Sequence, residues 1–240
     1  MIRFILIMIP VILYHIVSIP LLLVLYIVRA INHDAAVRIA RGWINFGFIA
    51  VRIMSGARVT YIGLENIPQD TPCMFAANHL GFFDIILTFP KIVGKCVLVS
   101  KDSLSKVPIF SQLMGLIDCL YVDRSDIKSG LQMILKAIDK IKSGSSVLIF
   151  PEGTRSKTGE LLEFKEGSFK IATKTGCPIV PIAIKGTNKI FEDRFPRIIP
   201  SDVTIEFGQP IAIADKSRDE LKFIGRQTHD LIAEMRNNRN

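Results

Sequence analysis

A histidine and an aspartate stand five positions apart in the stretch Asn78-His79-Leu80-Gly81-Phe82-Phe83-Asp84. Apolar runs precede and follow this stretch, which predicts a buried strand, a glycine-containing turn and a helix. A carboxylate that binds one imidazole nitrogen fixes the tautomer and leaves the other nitrogen free to accept a proton. The spacing therefore predicts that His79 is a general base oriented by Asp84. The alternative is structural: His79 bonds the turn, and Asp84 faces the dipole of the helix from its first turn.

Cationic side chains follow three other predicted strands. Lys101 follows residues 97–100, Arg124 follows residues 120–122, and Arg155 follows residues 147–150 within Phe150-Pro151-Glu152-Gly153-Thr154-Arg155-Ser156. In open α/β sheets, ligands bind at the carboxyl ends of the strands. A guanidinium group donates two parallel hydrogen bonds to phosphate, and Gly153 would let the backbone approach a ligand. The sequence therefore predicts a phosphate site near His79.

Each arginine also has a local alternative. Arg124 could pair with Asp123 or Asp126, and Arg155 could pair with Glu152, because many surface ion pairs have no role in ligand binding.

Several other chemistries are excluded by motif. The chain contains no Gly-x-Ser-x-Gly and therefore no nucleophile elbow. It contains no Gly-x-Gly, so a dinucleotide fingerprint is absent, and it has no Walker loop. Of the four histidines, only His79 has a carboxylate in a loop beside apolar strands, so we expect no metal site. The four scattered cysteines are predicted to be buried, reduced thiols.

The charge balance indicates an anionic partner. The 240 residues carry a formal net charge of +8 and are 49% hydrophobic. Lipid headgroups, phosphorylated metabolites and nucleic acid would all suit such a chain. The length suits one globular domain with an attachment. We predict membrane-anchoring helical segments at residues 1–58 and an α/β domain at residues 59–240.

The apolar excess is concentrated at the N-terminus. Residues 4–28 contain no charged side chain and lie between Arg3 and Arg29, which is long enough to span a bilayer as a tilted helix. Pro10 and Pro20 leave open a re-entrant hairpin in one leaflet, and the alternatives are a signal peptide or a buried core helix.

The next segment, residues 35–58, alternates apolar residues with arginines. We predict a helix at the membrane interface with its arginines toward the headgroups, the alternative being an amphipathic helix packed on the domain. The excess of arginine after residue 28 predicts that the following domain is cytoplasmic.

Strand and helix patterns alternate through the rest of the chain. The clearest helix is residues 127–142, and further helices are predicted at 168–175 and 216–236, before a polar, frayed tail at 237–240. The fold class is α/β, with a mixed, largely parallel central sheet flanked by helices. Seven strands are predicted, at residues 59–62, 73–77, 97–100, 120–122, 147–150, 179–184 and 203–207.

In this order, the motifs resemble the glycerolipid acyltransferase family, specifically the bacterial 1-acylglycerol-3-phosphate acyltransferases. Asn78-His79 with Asp84 matches that family's Asn-His-x4-Asp block, and residues 150–156 match its Phe-Pro-Glu-Gly-Thr-Arg-Ser block without a change. Residues 115–124 resemble the second block, although Ile117-Asp118-Cys119 separates Gly115 from the strand. Residues 164–167 are typical of the family, and Val180-Pro181-Ile182-Ala183 matches the fourth block.

The resemblance implies transfer of a fatty acyl group from a CoA or carrier-protein thioester to the hydroxyl of lysophosphatidic acid, without a cofactor. It implies that His79 and Asp84 are catalytic and that Arg155, Arg124 and Lys101 bind the acceptor phosphate. Asn78, Glu152, Gly153 and Thr154 would position these groups. The implied partners are lysophosphatidic acid, the acyl donor and anionic membrane lipids rather than nucleic acid, at the inner membrane of a bacterium with the catalytic domain on the cytoplasmic side.

Three alternatives remain open at the level of sequence. The first is another acceptor for the same transfer: glycerol-3-phosphate, a lysophospholipid or an acylated amino acid. The second is a hydrolase in which His79 activates water toward a thioester or phosphoester. The third is a membrane-bound lipid-binding protein without activity.

Overall fold

The computed structural model describes residues 1–237 and contains a sheet of seven strands. Each strand lies within one residue of its predicted bounds. The strands are β1 (Arg58–Ile62), β2 (Met74–Ala77), β3 (Cys96–Lys101), β4 (Leu120–Val122), β5 (Ser146–Ile149), β6 (Ile179–Lys185) and β7 (Asp202–Phe207).

The strand order in the sheet is β1-β7-β6-β2-β5-β3-β4. Every neighbouring pair is parallel except β6 and β7, so β1 and β7 run opposite to the other five strands. The predicted mixed, largely parallel sheet is therefore confirmed. Since β2, β3, β4 and β5 are mutually parallel, their carboxyl ends lie at one edge, where the predicted site residues follow them.

Helices cover both faces of the sheet. The described helices are α1 (Ile2–Ile31), α2 (His33–Ser55), α3 (Phe82–Thr88), α4 (Phe110–Leu116), α5 (Ile127–Lys142), α6 (Lys170–Thr175), α7 (Arg218–Lys222) and α8 (Ile224–Asn237).

Alternate strand residues belong to different cores, because side chains alternate across a sheet. Phe75 and Ala77 of β2 pack in the core beneath α1 to α4. Met74 and Ala76 pack in the core beneath α5, α6 and α8. All four cysteines are buried free thiols, as predicted.

Helix α1 is long and apolar enough to cross a membrane, and most of its surface is exposed. Yet both of its ends contact the rest of the chain. Near its start, the Phe4 ring stacks on Phe191 with centroids 5.8 Å apart. Near its end, Arg29 donates hydrogen bonds of 2.8 Å to the carbonyl of Gly115 and to the carboxylate of Asp118. The helix therefore lies along the domain rather than projecting from it.

The prediction that the α2 arginines face headgroups is wrong for Arg41. Its guanidinium donates to the carbonyls of Phe89 and Ile92 and stacks over the Phe89 ring at 4.3 Å. Ile44 on the same helix is buried. Helix α2 thus packs on the domain through one side, because its polar and apolar residues both find partners there, while Phe46 and Ile53 stay exposed.

Two helix predictions need correction. Residues 216–236 form α7 and α8 instead of one helix, because Glu166 accepts hydrogen bonds from the backbone N–H of Gly225 and Arg226 and so caps a new helix start. Residues 168–175 begin as a 3-10 turn (Glu166–Phe169) and become α-helical at Lys170. Helix α5 has its predicted bounds. The polar tail is helical at Asn237, and residues 238–240 lie outside the described residues.

Candidate active site

The loop between β2 and α3 places His79 against Asp84. Imidazole Nδ1 lies 2.7 Å from Asp84 Oδ2. Asp84 is fully buried, and His79 is 6% exposed at the edge of the sheet. The predicted contact between these two residues is therefore present.

Asp84 receives further hydrogen bonds from the turn. Its Oδ2 accepts from the backbone N–H of Leu80 at 2.6 Å and of Gly81 at 2.8 Å, and its Oδ1 accepts from the hydroxyl of Thr187. A carboxyl group surrounded by donors is stabilised as the anion. Nδ1 of His79 therefore carries the proton, and Nε2, which has no hydrogen-bond partner among residues 1–237, presents its lone pair.

This arrangement unites the two interpretations of Asp84. The carboxylate closes the turn at the start of α3, and the same oxygen orients the imidazole. A Cβ at Gly81 would meet the carboxylate of Glu192 at 2.3 Å, so a larger residue here would displace that carboxylate.

Three neighbours hold His79 from other strands. Asn78 is fully buried, and its amide forms hydrogen bonds of 3.0 and 2.7 Å with the carbonyl and N–H of Ile184 on β6. The backbone N–H of His79 donates to Glu152 Oε1 at 2.7 Å. The Phe150 ring stacks on the imidazole with centroids 4.1 Å apart. The ends of β2, β5 and β6 are thereby fixed together around one imidazole.

Burial raises the pKa of Glu152 to about 7, and the negative charge of Asp84 adds a smaller effect in the same direction. The hydrogen bond from His79 N–H acts against this rise. Glu152 is thus a buried carboxyl group that positions the His79 backbone.

Arg155 does not pair with Glu152. Its guanidinium lies 3.4 Å from Glu192 Oε1 and 4.5 Å from the centre of the Phe82 ring. The Arg155 side chain is 43% exposed, so it remains accessible to a ligand. The alternative in which Arg155 forms a local pair with Glu152 is wrong.

The local alternative for Arg124 is also wrong. Asp123 accepts hydrogen bonds from Ser125, and Asp126 caps α5 by accepting from its first backbone N–H groups. Burial lowers the pKa of Arg124, and the positive charge of Arg155 lowers it further. Arg124 is therefore a partly buried cation, and within residues 1–237 its side chain has no ion-pair partner.

The remaining predicted site residues belong to the same edge of the sheet. Thr154 is exposed, and Lys101 is exposed at the end of β3 opposite Val122. Hydrogen bonds from Ser125 lower the pKa of Asp123, and the charge of Lys101 lowers it further. Gly153 adopts a φ of +70°, and a Cβ there would meet the Lys165 side chain at 2.9 Å. The turn thus needs glycine for both backbone conformation and space.

Three residues near the site were not identified from the sequence as members of it. Thr187 supports Asp84, Glu192 contacts Arg155, and Lys165 lies against Gly153. Lys165 had a signal, because residues 164–167 are a typical family stretch. Thr187 and Glu192 follow β6 at distances that no local pattern marks.

The hydrogen bonds already made by backbone N–H groups limit where an oxyanion could bind. The N–H groups of residues 79–81 all donate to carboxylates, and that of Gly153 donates to the Phe150 carbonyl. This excludes the turn after Asn78. Within the part of the chain that the structure describes, the N–H groups of Thr154 and Arg155 have no acceptor and remain available.

Known proteins resemble this chain in sequence and in fold. Residues 58–185 match the model of the acyltransferase family, which is more than half of the chain. The chain belongs to the acyltransferase family. This confirms the family that the sequence motifs indicated.

Named relatives agree with that assignment. A chloroplastic 1-acyl-sn-glycerol-3-phosphate acyltransferase, BAT2, from Brassica napus is 36% identical over 66% of this chain and 48% of its own length. A 1-acyl-sn-glycerol-3-phosphate acyltransferase from Borreliella burgdorferi is 33% identical over 58% of this chain and 55% of its own length. The chain spans about half the length of these curated relatives.

A solved structure shares the fold. The 1-acyl-sn-glycerophosphate acyltransferase PlsC from Thermotoga maritima superposes with a TM-score of 0.70 at 24% identity, covering 93% of this chain and 98% of its own. The agreement extends to most of both chains and therefore includes the region of α1 and α2.

Proposed function

We propose that this protein transfers a fatty acyl group from a thioester to the free sn-2 hydroxyl of lysophosphatidic acid, forming phosphatidic acid in phospholipid biosynthesis. The observation that carries the proposal is the imidazole of His79, held through Nδ1 by Asp84 with Nε2 free. Arg155 and Arg124 follow β5 and β4 at the same edge of the sheet. The printed names of the relatives support the same acceptor.

The reaction needs a base but no covalent enzyme intermediate. The acceptor hydroxyl oxygen attacks the thioester carbonyl carbon while Nε2 of His79 takes the hydroxyl proton. Asp84 stabilises the resulting imidazolium through the 2.7 Å contact. The tetrahedral intermediate then collapses, the carbon–sulfur bond breaks, and the departing thiolate receives the proton from His79. The new ester and a free thiol are the products.

We assign stabilisation of the charged intermediate to groups that follow β5. The free N–H groups of Thr154 and Arg155 would supply an oxyanion site. Arg155 binds the acceptor phosphate, with Lys101 at the end of the next strand, β3, and Arg124 at the end of β4 beyond it. Burial lowers the pKa of Arg124, the positive charge of Arg155 lowers it further, and a bound phosphate would act in the opposite direction.

An apolar cavity of about 480 Å³ suits the acyl chains. It lies between α1, α2, α3 and α4 and is lined by Phe82 and Phe83, immediately after the catalytic loop. This size falls within the range of small-molecule pockets. The exposed apolar sides of α1 and α2 border the same cavity, so a lipid acceptor would enter from the membrane.

The contacts at both ends of α1 favour a helix embedded along one leaflet over one that crosses the bilayer. Crossing would separate Phe4 from Phe191 or Arg29 from Asp118. We place the catalytic domain on the cytoplasmic side, because Arg3, Arg29 and the arginines of α2 would all stay with it on the side that retains positive charge.

The deciding experiment offers purified protein a panel of acceptors with labelled acyl-CoA and labelled acyl-carrier protein. We expect lysophosphatidic acid to be acylated faster than glycerol-3-phosphate, lysophospholipids or acylated amino acids. Release of free fatty acid without an acylated product would instead establish a hydrolase. Preference for another acceptor would overturn the assignment of lysophosphatidic acid while keeping the transfer chemistry.

A further inference from the structure

A second opening lies on the other side of the sheet. It is a groove of about 350 Å³ between α5 and the segment 165–170, and Phe150, Pro151 and Gly153 are among its lining residues. Phe150 is the residue whose ring stacks on His79. This groove, the α5 groove, therefore extends to a direct neighbour of the imidazole, and it shares no lining residue with the apolar cavity beside Phe82.

One wall of the α5 groove is an exposed aliphatic surface. Ile127 is 90% exposed and Leu131 is 54% exposed, and both line the groove together with Ile134. Met133, which also lines the groove, is buried together with Ala137 in the core beneath α5. A contiguous apolar surface bordering a groove is a mark of ligand contact.

The groove also carries an excess of positive charge. Arg124, Lys165 and Lys170 line it, and within residues 1–237 none of these side chains forms an ion pair. The two acidic residues in the lining are already engaged, Asp123 by Ser125 and Asp126 by the start of α5. The groove thus combines an aliphatic wall with unpaired cations.

The position of the groove indicates what reaches it. Helices α1 to α4 pack on one face of the sheet, while α5, α6 and α8 pack on the other. The α5 groove therefore opens on the face opposite the apolar surface of α1. Its ligand comes from water rather than from the bilayer.

We propose that the α5 groove binds the phosphopantetheine arm of the acyl donor. The arm is aliphatic and amide-bearing along its length and ends in a phosphate, which matches the aliphatic wall and the cations at Lys165 and Lys170. CoA and acyl-carrier protein share this arm, so one groove would serve both donors. This inference rests on the proposed transfer from a thioester. It places the arm of the donor along α5 and the acceptor phosphate at Arg155, with Arg124, which also lines the groove, between the two substrates.

The test fills the groove without disturbing the fold. Gly130 lines the groove, and a Cβ there would have nothing within 4 Å. Gly130→Leu places bulk in the groove, and leucine favours a helix more than glycine does. Gln132→Leu is the matched control, because Gln132 is exposed on the same helix outside the groove lining. Lys170→Gln removes one groove cation, and Lys174→Gln is its control on α6.

For the full-length protein in detergent or nanodiscs, KM is measured separately for acceptor and donor. We expect Gly130→Leu and Lys170→Gln each to raise the donor KM about tenfold. The first variant blocks the groove, and the second removes one charged hydrogen bond to the donor. The acceptor KM and both controls should stay at wild-type values. A higher acceptor KM with an unchanged donor KM would overturn the proposal.

A comparison of the KM for acyl-CoA with the KM for acyl-carrier protein shows which part of the donor binds in the groove. An equal rise with acyl-CoA and acyl-carrier protein supports binding of the shared arm. A rise with only one donor would overturn it, in favour of a nucleotide site or a protein-docking surface.

Titration with free CoA keeps this test independent of the proposed function. If wild-type protein transfers no acyl group, tenfold weaker CoA binding to Gly130→Leu would still support the groove. Equal binding to wild type and Gly130→Leu would overturn it.

Discussion

Asp84 holds His79 through a hydrogen bond of 2.7 Å, and the same oxygen accepts two backbone N–H groups of the intervening turn. The orientation of the imidazole is therefore as rigid as the turn that starts α3. Thr187, more than a hundred residues later in the chain, completes the support by donating to the other carboxylate oxygen. The orientation of the imidazole and the local folding of the turn depend on one buried side chain.

Removing the base should abolish turnover without unfolding the domain. We expect His79→Ala to lower kcat at least about a thousandfold, because it removes the nitrogen that takes the hydroxyl proton in the proposed reaction. Circular dichroism should show a folded protein. Activity within tenfold of wild type would exclude His79 as the general base.

Asp84→Asn should separate an enzyme from a lipid-binding protein. An amide is uncharged and turns an NH2 group toward donors, so we expect kcat to fall at least about a hundredfold. Thr187→Val removes one donor to the same carboxylate and should cause a smaller loss. A harmless Asp84→Asn substitution would favour a non-catalytic role.

Arg155→Ala should weaken acceptor binding. Loss of a charge-assisted pair with phosphate should raise the acceptor KM roughly ten- to a hundredfold while the donor KM stays unchanged. Lys157→Ala, two residues along the same loop, is the matched control. An unchanged acceptor KM would show that phosphate binds elsewhere.

Glu192→Gln should strengthen acceptor binding. Glutamine keeps an oxygen for the N–H of Phe82, which donates to Glu192 at 2.7 Å, but it removes the charge that competes for Arg155. We expect the acceptor KM to fall roughly two- to fivefold, the scale of a partly exposed ion pair. A rise in this KM would indicate instead that Glu192 holds Arg155 in its binding position.

Glu152 should make the stability depend on pH. Burial raises its pKa from 4.5 to about 7. The stability contributed by the protonated carboxyl group is therefore fully present below about pH 4.5 and is lost as the pH rises through 7. Between pH 5 and pH 8, the free energy of unfolding of the wild type should therefore fall more than that of Glu152→Gln. The difference should be at most about 3 kcal/mol. Denaturant unfolding at the two pH values measures the difference. Parallel pH dependences would contradict the raised pKa.

The membrane contact should depend on the exposed side of α1. Deleting residues 1–58 would also remove Leu25 and Ile44 from the core, so substitution is the sharper test. Ile12→Glu with Ile16→Glu, two residues about half exposed on α1, should release the protein from anionic vesicles in a flotation assay. The control is the pair Lys128→Glu and Lys136→Glu on α5, which should float as wild type does.

Local patterns were sufficient for much of the fold. The bounds of α5 followed from its apolar periodicity, and the strands followed from short apolar runs with turns between them. The helix at 216–236 was predicted as continuous because the cap supplied by Glu166 comes from a distant segment. The inward turn of Arg41 was missed for the same reason, since its carbonyl partners lie on the loop after α3.

The sequence by itself determined the fold class, the family and the His79–Asp84 pair, because these depend on short-range periodicity and on residues five positions apart. Only the tertiary structure decided that Glu192 rather than Glu152 contacts Arg155 and that Thr187 supports Asp84. It also decided that an apolar cavity and a groove lie near the His79 loop on opposite faces of the sheet. These relationships join segments separated by tens to a hundred residues. They arise from the order of the strands in the sheet, and this order cannot be deduced from the spacing of residues along the chain.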